Sequence, residues 1–361
     1  MIAWARAIGD DAMVGEYVFG PCNTICSDER LYLPATHTTS YHICKERMKN
    51  EKAAARHIEP LHINGMAGRM LYLSPKSKNA REILVIYGHH SSLERWWGLA
   101  ENFNDFGAVT MPDLPGFGGM GSLYKAGRSA TLDTYADYMA SFIKMRYRHK
   151  KVSIVGISFG FLVATRMLQR YPELTGKVEV LVSAMGFMHR NNFKFSPARY
   201  AFYRYTAAFM AIPPLPVLFR HTLLSSRVIR AAYARTSNAK HKFNQAGTNK
   251  KKYDDMMDME VKLWQNNDVR SYMRTTVELL TVDNTTQHIA LPVWHVYTPH
   301  DNYFENTIIE QQMRVVFTDF LPFPLDAKAH SPSVVASKQE SAAFIPESLR
   351  TALRAQPRSR K

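Results

Sequence analysis

The chain has 361 residues, 46% hydrophobic and 21% charged, with 18 Gly and 18 Pro. That balance excludes a disordered or fibrous protein, and the length suffices to bury a large core without disulfide staples. The net charge of +15 calls either for an anionic partner or for a strongly basic, solvated face.

Residues 1–55 have weak periodicity and several turn signals and are expected to form an N-terminal extension packed on the main domain. Cys22, Cys26 and Cys44 all fall in it. They are odd in number and match no zinc spacing, which fits free thiols in a reducing compartment. The opening Met1–Arg6 lacks an apolar run of signal-peptide length. A cytoplasmic location is the expectation, and a peripheral contact at a membrane surface stays open.

From Arg56 the pattern sharpens. His57–Ile63 and Gly68–Leu73 alternate around Asn64–Gly68 as a hairpin. Glu82–Tyr87 is a continuous apolar run, as expected of a strand covered on both faces. Ala108–Met111, Lys151–Val155, Val178–Val182, Val293–Tyr297 and Val315–Phe317 follow as further strands, and Thr131–Arg146 has helical spacing. The alternation predicts an α/β fold with a mostly parallel central sheet flanked by helices. No run of about 18 uncharged apolar residues occurs, so no transmembrane helix is expected.

One interval is too long for a crossover. About a hundred residues of helical character separate Ser183 from Val293, an insertion expected above the carboxyl ends of the strands, where open sheets bind ligands. The reading is therefore a core of 56–187 and 280–361 with a basic helical cap at 188–279. Between Val180 and Tyr253 there is no Asp or Glu, but there are 13 Lys or Arg. Taking those from the total of 46 leaves 33 basic against 31 acidic groups elsewhere. Aromatic residues such as Phe202, Tyr205 and Phe209 interleave with this charge. The mixture suits an anionic bilayer surface, an anionic acyl substrate such as a coenzyme A thioester or lysophospholipid, or the cap's own core. No nucleic-acid motif accompanies it, and nucleic acid is not expected as a partner. Oligomeric state is not legible.

Gly156-Ile-Ser158-Phe-Gly160 lies between the strand Lys151–Val155 and the helical pattern from Phe161. Glycines two residues either side leave room for a serine on a tight turn, its hydroxyl at a helix amino end where negative charge is favoured. Ser158 is the candidate nucleophile. A serine needs a base, and the base an orienting acid. Asp301 follows the strand Val293–Tyr297 and is placed as the acid, with Asp283 and Asp319 as alternatives. His330, in the loop Ala327–Pro332 before a terminal helix, is placed as the base. Backbone amides of Phe159 and His89 are the expected oxyanion donors. The adjacent His89 and His90 raise the thought of a metal, but no carboxylate neighbours them in sequence; no cofactor or metal is called for.

These residues closely resemble the α/β-hydrolase superfamily from about Arg56 to Leu353, the insertion apart. Tyr87-Gly-His-His90 is similar to its oxyanion loop, and Met111-Pro-Asp113-Leu-Pro-Gly116-Phe-Gly118 to its D-x-x-G-x-G turn, where the aspartate is usually structural. Gly156–Gly160 resembles the nucleophile elbow and the insertion its cap. The resemblance implies catalytic roles for Ser158, Asp301 and His330. Two departures stand out: Tyr87 where many members have histidine, and Phe161 where many have glycine. Serine at 158 argues against epoxide hydrolases and haloalkane dehalogenases, which use aspartate there. The expectation is a serine hydrolase for a small-molecule carboxylic ester with an apolar acyl chain. Thioester or carbon–carbon bond hydrolysis, or a receptor-like homologue with negligible turnover, are the alternatives.

Overall fold

The computed structural model describes residues 53–77, 80–234, 250–299, 301, 303–325 and 337–355. Its centre is an eight-stranded sheet: β1 (Ile58–Ile63), β2 (Met66–Leu73), β3 (Arg81–Ile86), β4 (Gly107–Pro112), β5 (Val152–Ile157), β6 (Val178–Ala184), β7 (Ile289–Tyr297) and β8 (Phe317–Pro324), in the order β1-β2-β4-β3-β5-β6-β7-β8. β2 runs antiparallel to β1 and β4, and the other pairs are parallel. β4 and β5 are buried at every position, which is why they read as unbroken apolar runs and not as alternations.

Helices α1 (Trp97–Phe103), α2 (Leu132–Arg146), α3 (Phe159–Arg170), α9 (Asn306–Val316), α10 (Lys338–Ala342) and α11 (Glu347–Ala355) flank the sheet. α2 starts where the sequence places it. Thr131 and Thr134 form a reciprocal capping box, and the expected face of Leu132, Tyr135, Tyr138, Met139 and Phe142 is buried.

Several strand boundaries differ from the sequence reading, β7 beginning at Ile289 and β8 running on to Pro324, and two of the differences have a local cause. The β1–β2 loop is only Asn64-Gly65, both with positive φ (52° and 75°). This is the turn that matches strand twist, and it draws Met66 and Ala67 into β2. The last strand begins at Phe317, not Val315: Val315 lies in the last turn of α9 and is 72% exposed. The apolar run Val315–Phe317 straddles a helix–strand junction.

The regular structure described in the insertion between β6 and β7 is mainly five α-helices: α4 (Pro197–Met210), α5 (Leu215–Leu223), α6 (Ser226–Ala234), α7 (Lys250–Asn266) and α8 (Val269–Thr281). α8 is its keel. Asp268 caps it through the Ser271 amide, α4 packs along it, and polar bonds tie it to the core. The Asp268 amide donates to the Gly116 carbonyl, the Gly118 amide to Asn267, and the Leu132 amide to Glu278. Where the insertion departs from β6, His189 and Asp283 form an isolated bridge. Among the described residues, no helix is long and apolar enough to cross a membrane. The three cysteines and His330 lie outside the described residues.

Candidate active site

The sheet puts the carboxyl ends of β5, β6 and β7 side by side: Ile157 pairs with Ala184, and Ala184 with Val296. Ser158 is the next residue after Ile157. Its backbone sits at φ 48°, ψ −112°, a region costly for any residue with a side chain, and such strain persists only where neighbours enforce it. The enforcement is visible. The Ser158 amide donates to the Ala184 carbonyl at 3.0 Å, and its own carbonyl accepts from the Phe161 and Leu162 amides that begin α3.

Both glycines of the motif are needed for close approach. A Cβ on Gly156 would lie 2.6 Å from the Phe161 Cα, and one on Gly160 would run into the Ile86 carbonyl oxygen. The first turn of α3 thus lies directly on the β3 and β5 backbones. The Phe159 and Gly160 amides open the helix, where no carbonyl one turn back can accept from them.

Gly88 lies against the same turn: a Cβ there would be 3.6 Å from Ser158 Cβ and 3.3 Å from the Ile157 carbonyl oxygen. The loop Gly88–His90 therefore borders the serine, as expected for an oxyanion loop. The His89 ring turns away from this loop and packs between Phe117, Phe159 and Tyr272, with Nε2 2.8 Å from Thr275 Oγ1 on α8. Burial, then the neighbouring His90, lowers its pKa to about 3, so the ring is neutral.

His90 has positive φ (54°) and reaches the insertion. Its ring packs on Trp264 and Tyr272, Nδ1 is 3.3 Å from Asn267, and Nε2 is 3.6 Å from Glu260. Glu260 is 3% exposed and also accepts from the Tyr233 hydroxyl at 3.0 Å. The fold thus supplies the carboxylate that the sequence around His89 and His90 lacks. The two imidazoles still diverge, and among the described residues no three His, Cys, Asp or Glu side chains group as a metal site. Sequence reasoning missed these anchors between the loop and the insertion.

Asp301 stands in the loop after β7, 5% exposed. One carboxylate oxygen accepts the Tyr303 amide at 2.7 Å and the Phe304 amide at 3.1 Å, which fixes its orientation. Its carbonyl accepts from Lys194. β5 and β7 are two strands apart, so the ends carrying Ser158 and Asp301 are separated by about 10 Å at the usual strand spacing. Beneath Asp301, His295 Nδ1 lies 2.9 Å from Ser183 Oγ, and burial lowers its pKa to about 3 against the opposing pull of Asp301. The alternative acids are otherwise engaged. Asp283 accepts from Thr285 and faces His189, and Asp319, within β8, caps the Phe320 amide.

The Asp113 turn is a different object. Asp113 is fully buried and accepts from Arg69, the Gly119 amide and the Tyr87 hydroxyl, the last two at 2.9 Å. The Tyr87 hydroxyl in turn accepts the Leu114 amide at 2.7 Å. Tyr87, the residue noted as a departure in the sequence, serves as the tie holding this turn beside the Gly88–His90 loop.

The sequence profile of the family described as "alpha/beta hydrolase fold" matches residues 82–288, more than half of the chain. The chain belongs to the alpha/beta hydrolase fold family. No curated protein matches it. Among solved structures, this hydrolase is similar to a thermophilic esterase from Thermogutta terrifontis, with TM-score 0.55, 14% identity, and 82% of this chain and 98% of that one covered. It is similar to the N-acyl homoserine lactonase AidH, with TM-score 0.55, 18% identity and coverage of 84% and 98%. It is also similar to a putative acyltransferase from Salmonella enterica, with TM-score 0.57, 15% identity and coverage of 83% and 95%. At these identities the likeness establishes the shared fold.

Proposed function

We propose that the chain is a serine hydrolase that cleaves a carboxylic ester through an acyl-enzyme, with Ser158, His330 and Asp301 as its triad. The observation that carries the reading is the strained Ser158 backbone at the β5–α3 junction, walled by Gly88 and opening a helix whose first amides have no partner within it. Strain held at such a point is expected where a side chain must be presented to a reactant.

In this reading His330 takes the proton from Ser158 Oγ as the oxygen attacks the ester carbonyl. The Phe159 and His89 amides hold the resulting oxyanion, and Asp301 orients the imidazole and balances its positive charge. The proton passes to the leaving alkoxide, which departs as the alcohol. Water deprotonated by His330 then releases the carboxylic acid and restores the serine. The path from Leu325, whose amide bonds to the Tyr297 carbonyl, to Ser337 at the start of α10 contains His330 and begins at the sheet edge that carries Asp301.

An apolar acyl chain suits the apolar strand ends beside the elbow. There Ile157, Ala184, Met185 and Val296 pack with Trp96 and Phe344 around a void of about 10 Å³, no larger than a water, so the chain itself would have to lie outside it. The insertion forms the cap over this edge. Labelling with a fluorophosphonate probe, which phosphonylates activated serines with loss of fluoride, tests the reading. Modification at Ser158, abolished in Ser158→Ala, is the expected result. Esters of increasing acyl length then report the chain preference.

A further inference from the structure

The outer face of the insertion carries a row of large apolar side chains. Phe202 is 40% exposed, Tyr205 67%, Phe209 59% and Ile212 54%, and beyond the proline turn Val217 is 61% and Leu218 58% exposed. The first three recur at helical spacing along one side of α4, and Ile212 follows just beyond its end. The opposite side of the same helix, with Tyr203 and Ala207, is buried, and Tyr200 bonds to the Leu280 carbonyl of α8. α4 therefore meets its packing needs with one face and turns a second apolar face outward. A contiguous apolar surface of this kind marks an interaction site more often than chance.

The charge around the row narrows the partner. Residues 180–253 contain no Asp or Glu, so α4 and α5 bring Arg204 and Arg220 to this side with no acid of their own, whereas Arg199 is half-buried and donates to the Tyr203 hydroxyl on the inner side of α4. The Arg204 guanidinium stands over the Tyr205 ring, 5.8 Å from its centroid. Arg220 donates to the carbonyls of Gln265 and Asn267, which fix it without neutralising it. Arg227, exposed at the start of α6, adds to the same sign. Arg230, by contrast, is paired with Asp254 and Asp258 on α7, so the basic character concentrates on the α4–α5 side. A second copy of the chain meeting this face across a two-fold axis would oppose arginine to arginine. Nucleic acid would leave Ile212, Val217 and Leu218 against a polar partner.

We propose that the α4–α5 face is an interfacial docking surface that seats Phe202, Tyr205, Phe209, Ile212, Val217 and Leu218 among the lipids of an anionic bilayer while the bordering arginines meet the headgroups. Aromatic and aliphatic side chains flanked by arginine suit that boundary, with apolar bodies in the acyl region and charged ends at the phosphates. The surface stands independently of the triad, since it rests on exposure and charge alone. The face that docks belongs to the insertion that covers the strand ends, so seating it would hold the proposed site at the lipid surface.

The test is sedimentation of the full chain with vesicles of phosphatidylcholine alone or with about a third phosphatidylserine. Binding is expected to the mixed vesicles, to be weak on the neutral ones, and to fall with salt. Phe209→Glu and the double variant Tyr205→Ser/Ile212→Ser are each expected to lower partitioning at least tenfold, with far-UV circular dichroism and hydrolysis of a short soluble ester unchanged. Binding that survives both variants would overturn the proposal by moving the contact elsewhere. Absence of binding by the unmodified chain, with a dimer in solution that Phe209→Glu dissociates, would overturn it in favour of self-association. Loss of ester hydrolysis in Ser158→Ala with vesicle binding intact keeps the two readings separable.

Discussion

Two turns leave the carboxyl edge of the sheet on either side of β3, and they are built for opposite ends. The turn after β4 centres on Asp113, whose carboxylate accepts from Arg69, Tyr87 and the Gly119 amide and is shut off from water. The turn after β5 centres on Ser158, whose backbone is held at φ 48° by bonds from its main chain while the residue itself stays half-buried. Both turns need glycine and both bend sharply. One satisfies its polar side chain completely, which is what a structural tie requires. The other spends its bonds on the backbone, as suits a hydroxyl kept for the proposed chemistry.

The largest effects should separate these turns. Ser158→Ala is expected to cut ester turnover by about 10⁴-fold or more while the melting temperature stays within a degree or two. His330→Ala should do nearly the same. Steady-state kinetics on a short activated ester, run beside thermal unfolding, measures both. Wild-type turnover in Ser158→Ala would break the assignment of the β5 turn to chemistry.

Next in size is the acid. Asp301→Asn keeps the oxygen that accepts the Tyr303 and Phe304 amides but offers the base the wrong partner, so turnover should fall by about 10³- to 10⁴-fold. Asp283→Asn should be close to silent, because one amide oxygen still accepts from Thr285. The reverse pattern in kcat would transfer the role to Asp283.

The Asp113 turn should answer in stability instead. Asp113→Ala is expected to cost about 3 kcal/mol, at the lower end for a broken buried pair because Arg69 keeps Glu94 and some solvent. Tyr87→Phe removes one donor from the carboxylate and one acceptor from the Leu114 amide, for about 2 kcal/mol. Denaturant midpoints measure both. Turnover per folded molecule in Tyr87→Phe should change less than tenfold, and a loss like that of Ser158→Ala would blur the contrast between the turns.

How much of this was legible in the sequence follows from how far each contact reaches. The elbow is local: five consecutive residues, with a strand before and a helix after, carry its geometry. The parallel strands were legible because burial on both faces leaves an unbroken apolar run. Val315 was misread because an apolar run at a helix–strand junction has no period of its own. The anchors His89–Thr275, His90–Asn267 and Gly118–Asn267 join residues 186, 177 and 149 positions apart. A polar residue on a helix reads as a solvated one until its partner is placed. The insertion's aromatics fitted core or surface equally in sequence, and exposure divides them: Tyr203 inside, Phe202, Tyr205 and Phe209 outside. Tyr87 read as a departure from the family, and only the hydroxyl's two bonds show what the departure does.

The smallest expected effect concerns titration, where the two turns differ again. The Asp113 turn is held by charged groups, whereas the surroundings of Ser158 and Asp301 include two neutral histidines, His89 and His295. Each has a pKa lowered to about 3, with burial the largest cause. In the unfolded chain each returns to about 6.5. Between those values the unfolded state binds a proton that the folded state refuses, so stability present above pH 6.5 erodes as pH falls and is lost by about pH 3. At pH 5.5 the loss is about 1.4 kcal/mol for each histidine. Glu94 and Asp137, held low by their arginine and tyrosine partners, begin to contribute only below about pH 5. Asp113, raised to about 6 by burial, instead gains a proton in the fold below that value and offsets part of the loss. Urea midpoints at pH 7.0 and 5.5 should therefore differ in the wild type. His295→Gln, which preserves a hydrogen-bonding group toward Ser183, should reduce that difference by more than half, because the opposing Asp113 contribution remains. An unchanged pH slope in His295→Gln would mean that its imidazole is protonated in the fold, and would place a positive charge beneath Asp301 where the structure argues for a neutral ring.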